Sequence, residues 1–254
     1  CRPPPGSCGE LAEDSIGLGP EGGRPDGSGP RRRTLRLLRG VLSREEAGEL
    51  LRLARAVPCD SREAATNPVV TPLQSLAQRG LWARSELARA VEPLVEERLL
   101  PYMRRELGCP SLVAQDVMVR RYVPERRRAY RVHFDLNALG TAVLDLTPEP
   151  SSGLFVGSGA DAASMFFVPF ASPGDAAVHG WDVVHGVQLR EGHERVSLIV
   201  WAKPKLDVQR DTTSWYERDA AAGDADALFR EGLEAKARGE PAAAEAQLAA
   251  AAGQ

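Results

Sequence analysis

From Val113 onward the chain breaks into short apolar or alternating runs: Ala114–Tyr122, Ala129–Leu136, Thr141–Leu146, Gly153–Val156, Ser164–Phe170, Asp175–His179, Val183–Leu189 and Val196–Trp201. Gly, Pro, Asn and Ser clusters separate them at fairly even spacing. That texture predicts a compact double sheet. About eight strands suffice for a jelly roll, an architecture that brings side chains from strands far apart in sequence onto one inner face.

The segments before the strands predict buttressing helices. Ser43 is placed as an N-cap, with Glu46 closing a capping box and Leu50, Leu51, Leu53, Ala54 and Val57 on the buried side. Pro58 ends that helix, and Ser61 to Pro72 predicts a loop. A second helical region is expected over 85–107, interrupted near Pro93 and Pro101 and stopped by Gly108. Residues 1–33 are rich in Gly, Pro and Arg with almost no aromatic content, which predicts a disordered leader.

After Lys203-Pro-Lys205 the chain turns Ala/Glu-rich, with Gly232, Ala244, Leu248 and Ala251 at offsets that let two antiparallel helices pack closely. This segment, 212–254, resembles the Sel1-like and tetratricopeptide repeat class, although Glu231 stands where those repeats carry an apolar residue. One repeat cannot bury its own face well. Either further repeats follow or the tail packs on the domain, and a lone alanine-rich hairpin is the plainer alternative. The expected division is therefore a leader at 1–33, an α+β domain at 34–206 and a helical tail at 212–254.

Composition bounds what such a chain can do. Of 254 residues, 43% are hydrophobic and 26% charged, which suits a globular domain and excludes a wholly disordered chain. A net charge of -3 gives no electrostatic reason to expect nucleic acid as a partner, and the basic runs Arg31-Arg-Arg33 and Arg126-Arg-Arg128 are assigned to solvated faces. No run of about 18 apolar residues is present to span a bilayer. The chain opens on Cys1, which predicts a fragment or a processed chain, so the compartment is left open. Cys1, Cys8, Cys59 and Cys109 lack CxxC spacing; a Cys59–Cys109 disulfide and two reduced thiols both stay open, the thiols being preferred.

Chemistry concentrates in Arg131-Val-His-Phe-Asp135 and, far downstream, in Asp182-Val-Val-His-Gly-Val187 followed by Arg195. In an extended strand His133 and Asp135 leave the same face while Phe134 turns away. His185 from a distant strand would complete three ligands. Two imidazoles and a carboxylate on one face of an octahedral ion leave the opposite face open, an arrangement that suits Fe(II) binding a co-substrate and dioxygen together.

In this order, HxD, Gly174-Asp-Ala-Ala-Val178, His185 and a basic residue ten positions later, the chain resembles the iron(II)- and 2-oxoglutarate-dependent dioxygenases, most closely the prolyl 4-hydroxylase branch. The resemblance covers about Val113 to Lys203. It implies a double-stranded β-helix core and Fe(II) held by His133, Asp135 and His185. It also implies 2-oxoglutarate paired through its distal carboxylate with Arg195, and hydroxylation of a peptidyl substrate, with prolyl hydroxylation the nearest analogy, or a small molecule, with release of succinate and CO2. Ascorbate is expected on the same ground. Tyr122 and Tyr130 match tyrosines that precede the first histidine in that branch, one of which contacts the co-substrate; packing their rings in the core is the plainer role.

Two positions depart from the pattern. Asp145 stands where many hydroxylases place a co-substrate-binding tyrosine, and Ser152-Gly-Leu-Phe-Val156 replaces a Gly-Gly-Glu-Thr segment. His179 competes for the distal ligand place, but Arg195 would then fall sixteen residues on, so His185 is preferred and His179 is placed beside the site. His193 belongs to an exposed turn. Trp201 stands where alkylated-nucleic-acid demethylases of the same fold carry a second arginine, which counts against a nucleic-acid substrate. The reading from another class is a noncatalytic jelly roll whose helical tail binds a protein partner.

Overall fold

The computed structural model describes residues 12–18, 34–58, 69–75, 81–123, 128–135, 138–157, 164–205 and 225–252. Two sheets face one another. The eight expected runs appear as strands β5 (Leu112–Tyr122), β6 (Ala129–His133), β7 (Gly140–Asp145), β8 (Gly153–Gly157), β9 (Met165–Phe167), β10 (Ala176–Gly180), β11 (His185–Gln188) and β12 (Arg195–Pro204). They divide between the sheets, β10-β7-β12-β5 in the larger and β6-β11-β8-β9 in the smaller. Every named pairing is antiparallel, as a jelly roll requires.

Alternation along these strands sorts the side chains into two cores. Val117, Val119, Ala142, Leu144, Val178, Val196, Leu198 and Val200 point away from the smaller sheet into a cluster shared with the helices. Met118, Val143, Ala177 and Ile199 point inward and meet Leu154, Val156 and Val183 between the sheets. Nearly continuous apolar strands are the sequence consequence of burial on both faces.

Four further strands were not expected. β2 (Thr34–Arg39) pairs with β10, and β1 (Ala12–Gly17) pairs with β2, extending one edge of the larger sheet. Residues 12–17 therefore depart from the disordered leader predicted for 1–33. A strand added to an open edge satisfies its backbone through the ladder and needs little apolar surface; Ile16 packs on the inner core and Leu18 is buried. At the other edge β3 (Val69–Ser75) pairs with β5, and the short β4 (Leu81–Trp82) with β3. Residues 69–72 of the loop expected from Ser61 to Pro72 are thus strand, and residues 61–68 lie outside the described residues. Pro72 is accommodated where the β3–β5 register shifts, a place where its missing donor interrupts the ladder least.

The helices follow the sequence closely. α1 (Arg44–Ala56) starts at the expected capping box, with the Glu46 amide donating to Ser43 Oγ at 3.1 Å and the Ser43 amide donating to Glu46 Oε2 at 2.8 Å. Leu50, Leu53 and Ala54 are buried, while Leu51 and Val57 are partly so. α2 (Glu86–Leu94) runs through one π-helical turn (Val95–Leu99) into α3 (Leu100–Glu106). Pro93 and Pro101 bracket that turn, and Gly108 follows α3 with a φ of 62°. Arg98, on the π turn, ties this segment to α1 by donating to Glu46 Oε1 at 2.6 Å.

The tail forms α4 (Ala225–Ala237) and α5 (Pro241–Ala252). Gly232 permits their close approach, since a Cβ there would stand 2.7 Å from Leu248 Cγ. The hairpin packs on the domain: Leu228 is buried in the outer core, and the Phe229 ring lies 6.2 Å from that of Trp181. Among the described residues no helix is long and apolar enough to cross a membrane. Cys109 is a free thiol. Cys1, Cys8, Cys59, Arg31–Arg33, Arg126 and Arg127 lie outside the described residues.

Glu46 links fold to pH. Hydrogen bonding from Arg98, aided by the Ser43 amide and opposed by partial burial, lowers its carboxyl from 4.5 to about 2. A depressed carboxylate contributes stability that is complete above its ordinary value and is lost as pH falls toward its folded value. Glu46→Gln is therefore expected to lower the melting temperature above pH 4.5 and to flatten the stability profile between pH 4.5 and about 2, as read by thermal melts across that range.

Candidate metal and keto-acid site

The inner face of the two sheets carries a cavity lined by Arg120, Tyr122, Tyr130, His133, Asp135, Thr141, Val143, Leu154, His185, Val187, Arg195, Ile199 and Trp201. At one end β11 pairs with β6 so that His185 lies directly across from His133. Their ring centroids are 4.3 Å apart. Asp135 completes the group, with Oδ1 3.6 Å from His133 Nε2 and Oδ2 3.5 Å from His185 Nε2. One ligand atom from each of the three lies within 4.8 Å of the others.

Asp135 reaches this position differently from expectation. β6 ends at His133, so Asp135 stands beyond the strand instead of sharing its alternation. Its Oδ2 accepts a 2.6 Å hydrogen bond from the Thr141 hydroxyl on β7, which anchors it from the opposite sheet. No motif or spacing in the sequence singles out Thr141. Burial raises the Asp135 carboxyl, but His185, His133, His179 and Thr141 outweigh it and hold the group well below the usual carboxylate range. It is an anion in the interior.

Both histidines present the same edge. His133 Nδ1 donates to the Arg131 carbonyl at 2.8 Å and His185 Nδ1 to the Val183 carbonyl at 3.0 Å. A carbonyl can only accept, so each Nδ1 carries the proton and each Nε2 keeps its lone pair for a metal. Burial above all pushes His185 down to about 4, with Asp135 opposing, so its imidazole is neutral and ready to ligate. His179 is set apart: its ring centroid lies 4.7 Å from that of His185, its Nδ1 meets the Gly180 carbonyl and its buried Nε2 has no partner. The metal-ligating group among the described residues does not include it.

A β-bulge shapes the next layer. The register of β6 on β11 shifts between His185↔His133 and Val187↔Tyr130, inserting one extra residue in β6. Strict alternation would put Tyr130 and His133 on opposite faces; the bulge puts both in the cavity, rings edge to face at 4.9 Å.

At the other end stands Arg195, 1% exposed. It belongs to β12 in the larger sheet while His185 belongs to the smaller, so the two lie on facing layers. Its Nε donates to Asp145 Oδ2 at 3.0 Å and its Nη1 to Ser197 Oγ at 3.3 Å, leaving Nη2 buried without a partner. Asp145 thus neutralises the arginine. Gly153 makes room for this pair: its φ of +106° suits glycine, and a Cβ would stand 3.2 Å from Arg195 Nε. Tyr122, opposite Arg195 on β5, is also buried with a partnerless hydroxyl. Burial raises its phenol, with Arg195 and Arg120 pulling the other way.

The remaining motif residue serves the scaffold. Asp175, 2% exposed, accepts from the Gly40 and Ala171 amides at 2.9 Å each, from the Ser172 amide at 3.2 Å and from Arg39 Nη1 at 2.9 Å. It fastens β2 to the start of β10. His193 lies in the turn before β12, away from the cavity.

The chain has the fold of the 2OG-Fe(II) oxygenases. An oxidoreductase of that family from Burkholderia pseudomallei superposes with a TM-score of 0.53 at 13% identity, over 66% of this chain and 84% of the other. The non-heme alpha-ketoglutarate-dependent epimerase SnoN of nogalamycin biosynthesis gives 0.51 at 18%, over 68% and 79%. EvdO2 from Micromonospora carbonacea var. aurantiaca, solved with 2-oxoglutarate, gives 0.51 at 14%, over 68% and 86%. No protein-family model and no curated protein matches the sequence.

Two outcomes follow from this geometry. Thr141→Val is expected to weaken divalent metal binding by about 10- to 100-fold with the fold retained, measured by metal titration. Gly153→Ala should lower thermal stability by a few degrees, since it strains the backbone and crowds Arg195; an unchanged melting temperature would contradict the close approach.

Proposed function

We propose that this chain is an Fe(II)- and 2-oxoglutarate-dependent dioxygenase that hydroxylates a peptidyl substrate, with prolyl hydroxylation the nearest analogy, or a small molecule, releasing succinate and CO2. The observation that carries this reading is the meeting of three distant side chains with both Nε2 atoms free and one buried carboxylate between them. His133, Asp135 and His185 would hold the iron on one face. The metal, when bound, supplies the activation of dioxygen that protein side chains cannot.

The chain's own residues position and screen. Thr141 fixes the ligating carboxylate, and the Val183 and Arg131 carbonyls fix the two ring tautomers. Arg195 Nη2 and the Tyr122 hydroxyl offer buried donors to the distal carboxylate of the keto acid. Tyr130 packs against His133 and narrows the mouth of the site. Ascorbate, as a reductant that returns iron to the ferrous state, belongs to the same proposal by resemblance to the prolyl 4-hydroxylase branch.

One observation favours the second reading, a noncatalytic module with a repeat-like tail that binds a protein partner: Asp145 already occupies the arginine that the co-substrate would use. The two readings differ in a simple assay. With Fe(II), ascorbate and 2-oxoglutarate the protein should release succinate, and His133→Ala should abolish both metal binding and turnover. Arg195→Lys, which keeps a cation beside Asp145, should raise the KM for 2-oxoglutarate about tenfold and leave iron affinity intact. Metal binding without succinate across broad peptide and metabolite mixtures would instead establish the binding module.

A further inference from the structure

Charge does not balance in the cavity once Arg195 is paired. Arg195 and Asp145 form a buried ion pair of net zero charge, both side chains being about 2–3% exposed. A dicarboxylate brings a second negative charge to that end of the cavity, and a neutral pair in a low-dielectric interior compensates it poorly. Some other cation must do so.

Arg120 is the candidate that the strands supply. It lies two residues before Tyr122 on β5 and so shares its inward face, opposite Ser197 of β12. On that face it stands between Met118, which packs in the inner core, and Tyr122. Its guanidinium carbon sits 5.1 Å from the Tyr130 ring centroid and 6.0 Å from that of Trp201, so two aromatic faces hold it over the cavity. Its buried Nε has no hydrogen-bond partner, and among the described residues it pairs with no carboxylate.

Three buried donors thus line one cavity with nothing to accept from them: Arg120 Nε, the Tyr122 hydroxyl and Arg195 Nη2. Unpaired buried donors are costly, and a carboxylate satisfies several at once. Resting on the dioxygenase reading above, we infer that Arg120 is the uncompensated cation that anchors the distal carboxylate of the keto acid, with Tyr122 and Arg195 as its co-donors. It is a binding residue that determines which keto acid the cavity accepts.

Protein loaded with Mn(II) is titrated calorimetrically with 2-oxoglutarate and with 2-oxobutyrate, which has the same keto-acid head and no distal carboxylate. In the wild type 2-oxoglutarate should bind much more tightly. Arg120→Met should weaken 2-oxoglutarate at least about tenfold while 2-oxobutyrate changes less than about twofold, and Arg120→Lys should retain most of the preference. Arg120→Gln replaces Arg120→Met if the latter fails to fold by circular dichroism. An undiminished preference in the charge-free variant, or an equal loss for both keto acids, overturns the role of Arg120 alone. A wild type that binds Mn(II) and neither keto acid overturns the dioxygenase reading and this inference with it.

Discussion

The pairing of β11 with β6 is the interaction on which the site depends. It sets His185 across from His133 although 52 positions separate them in the chain. A strand slipped by one residue would turn the second imidazole out of the cavity, because side chains alternate with period two. The register is held on both sides, since β11 also pairs with β8 through His185↔Val156. The meeting of the two imidazoles is thus a consequence of sheet hydrogen bonding more than of local sequence.

Around that pairing the larger sheet supplies the polar support. Thr141 reaches across to Asp135, and Asp145, four residues on along the same face of β7, reaches Arg195. One strand therefore steadies both ends of the cavity. The cost of burying these charges is met by pairing each with a partner, while the donors left over, on Arg120, Tyr122 and Arg195, all face the same space. A protein interior tolerates such leftovers where a ligand takes them up.

Much of this was legible. The capping box at Ser43 and Glu46, the break at Pro93 and the eight inner strands all follow from short-range patterns that persist in the folded chain. Edge strands were not legible: Ala12–Gly17 and Val69–Ser75 have weak patterns of their own and are ordered by a neighbour's open ladder. Asp135 was picked out by its HxD spacing, yet Thr141 holds it after the strand has ended, so strand alternation alone does not account for its position. Arg120 was visible as a charge in step with Tyr122, but its meaning needed the knowledge that Arg195 is already paired.

By itself the sequence determined the helices, the inner strands and which residues are able to ligate a metal, because turn chemistry, capping and alternation act over a few neighbours. Only the tertiary structure decided the rest: that His185 and not His179 meets the other two, that a bulge turns Tyr130 inward, and that Asp145 takes up Arg195. Those outcomes depend on register and on pairing between sheets. Long-range contacts of that kind are selected by the packing of the whole core, which no short window of sequence contains.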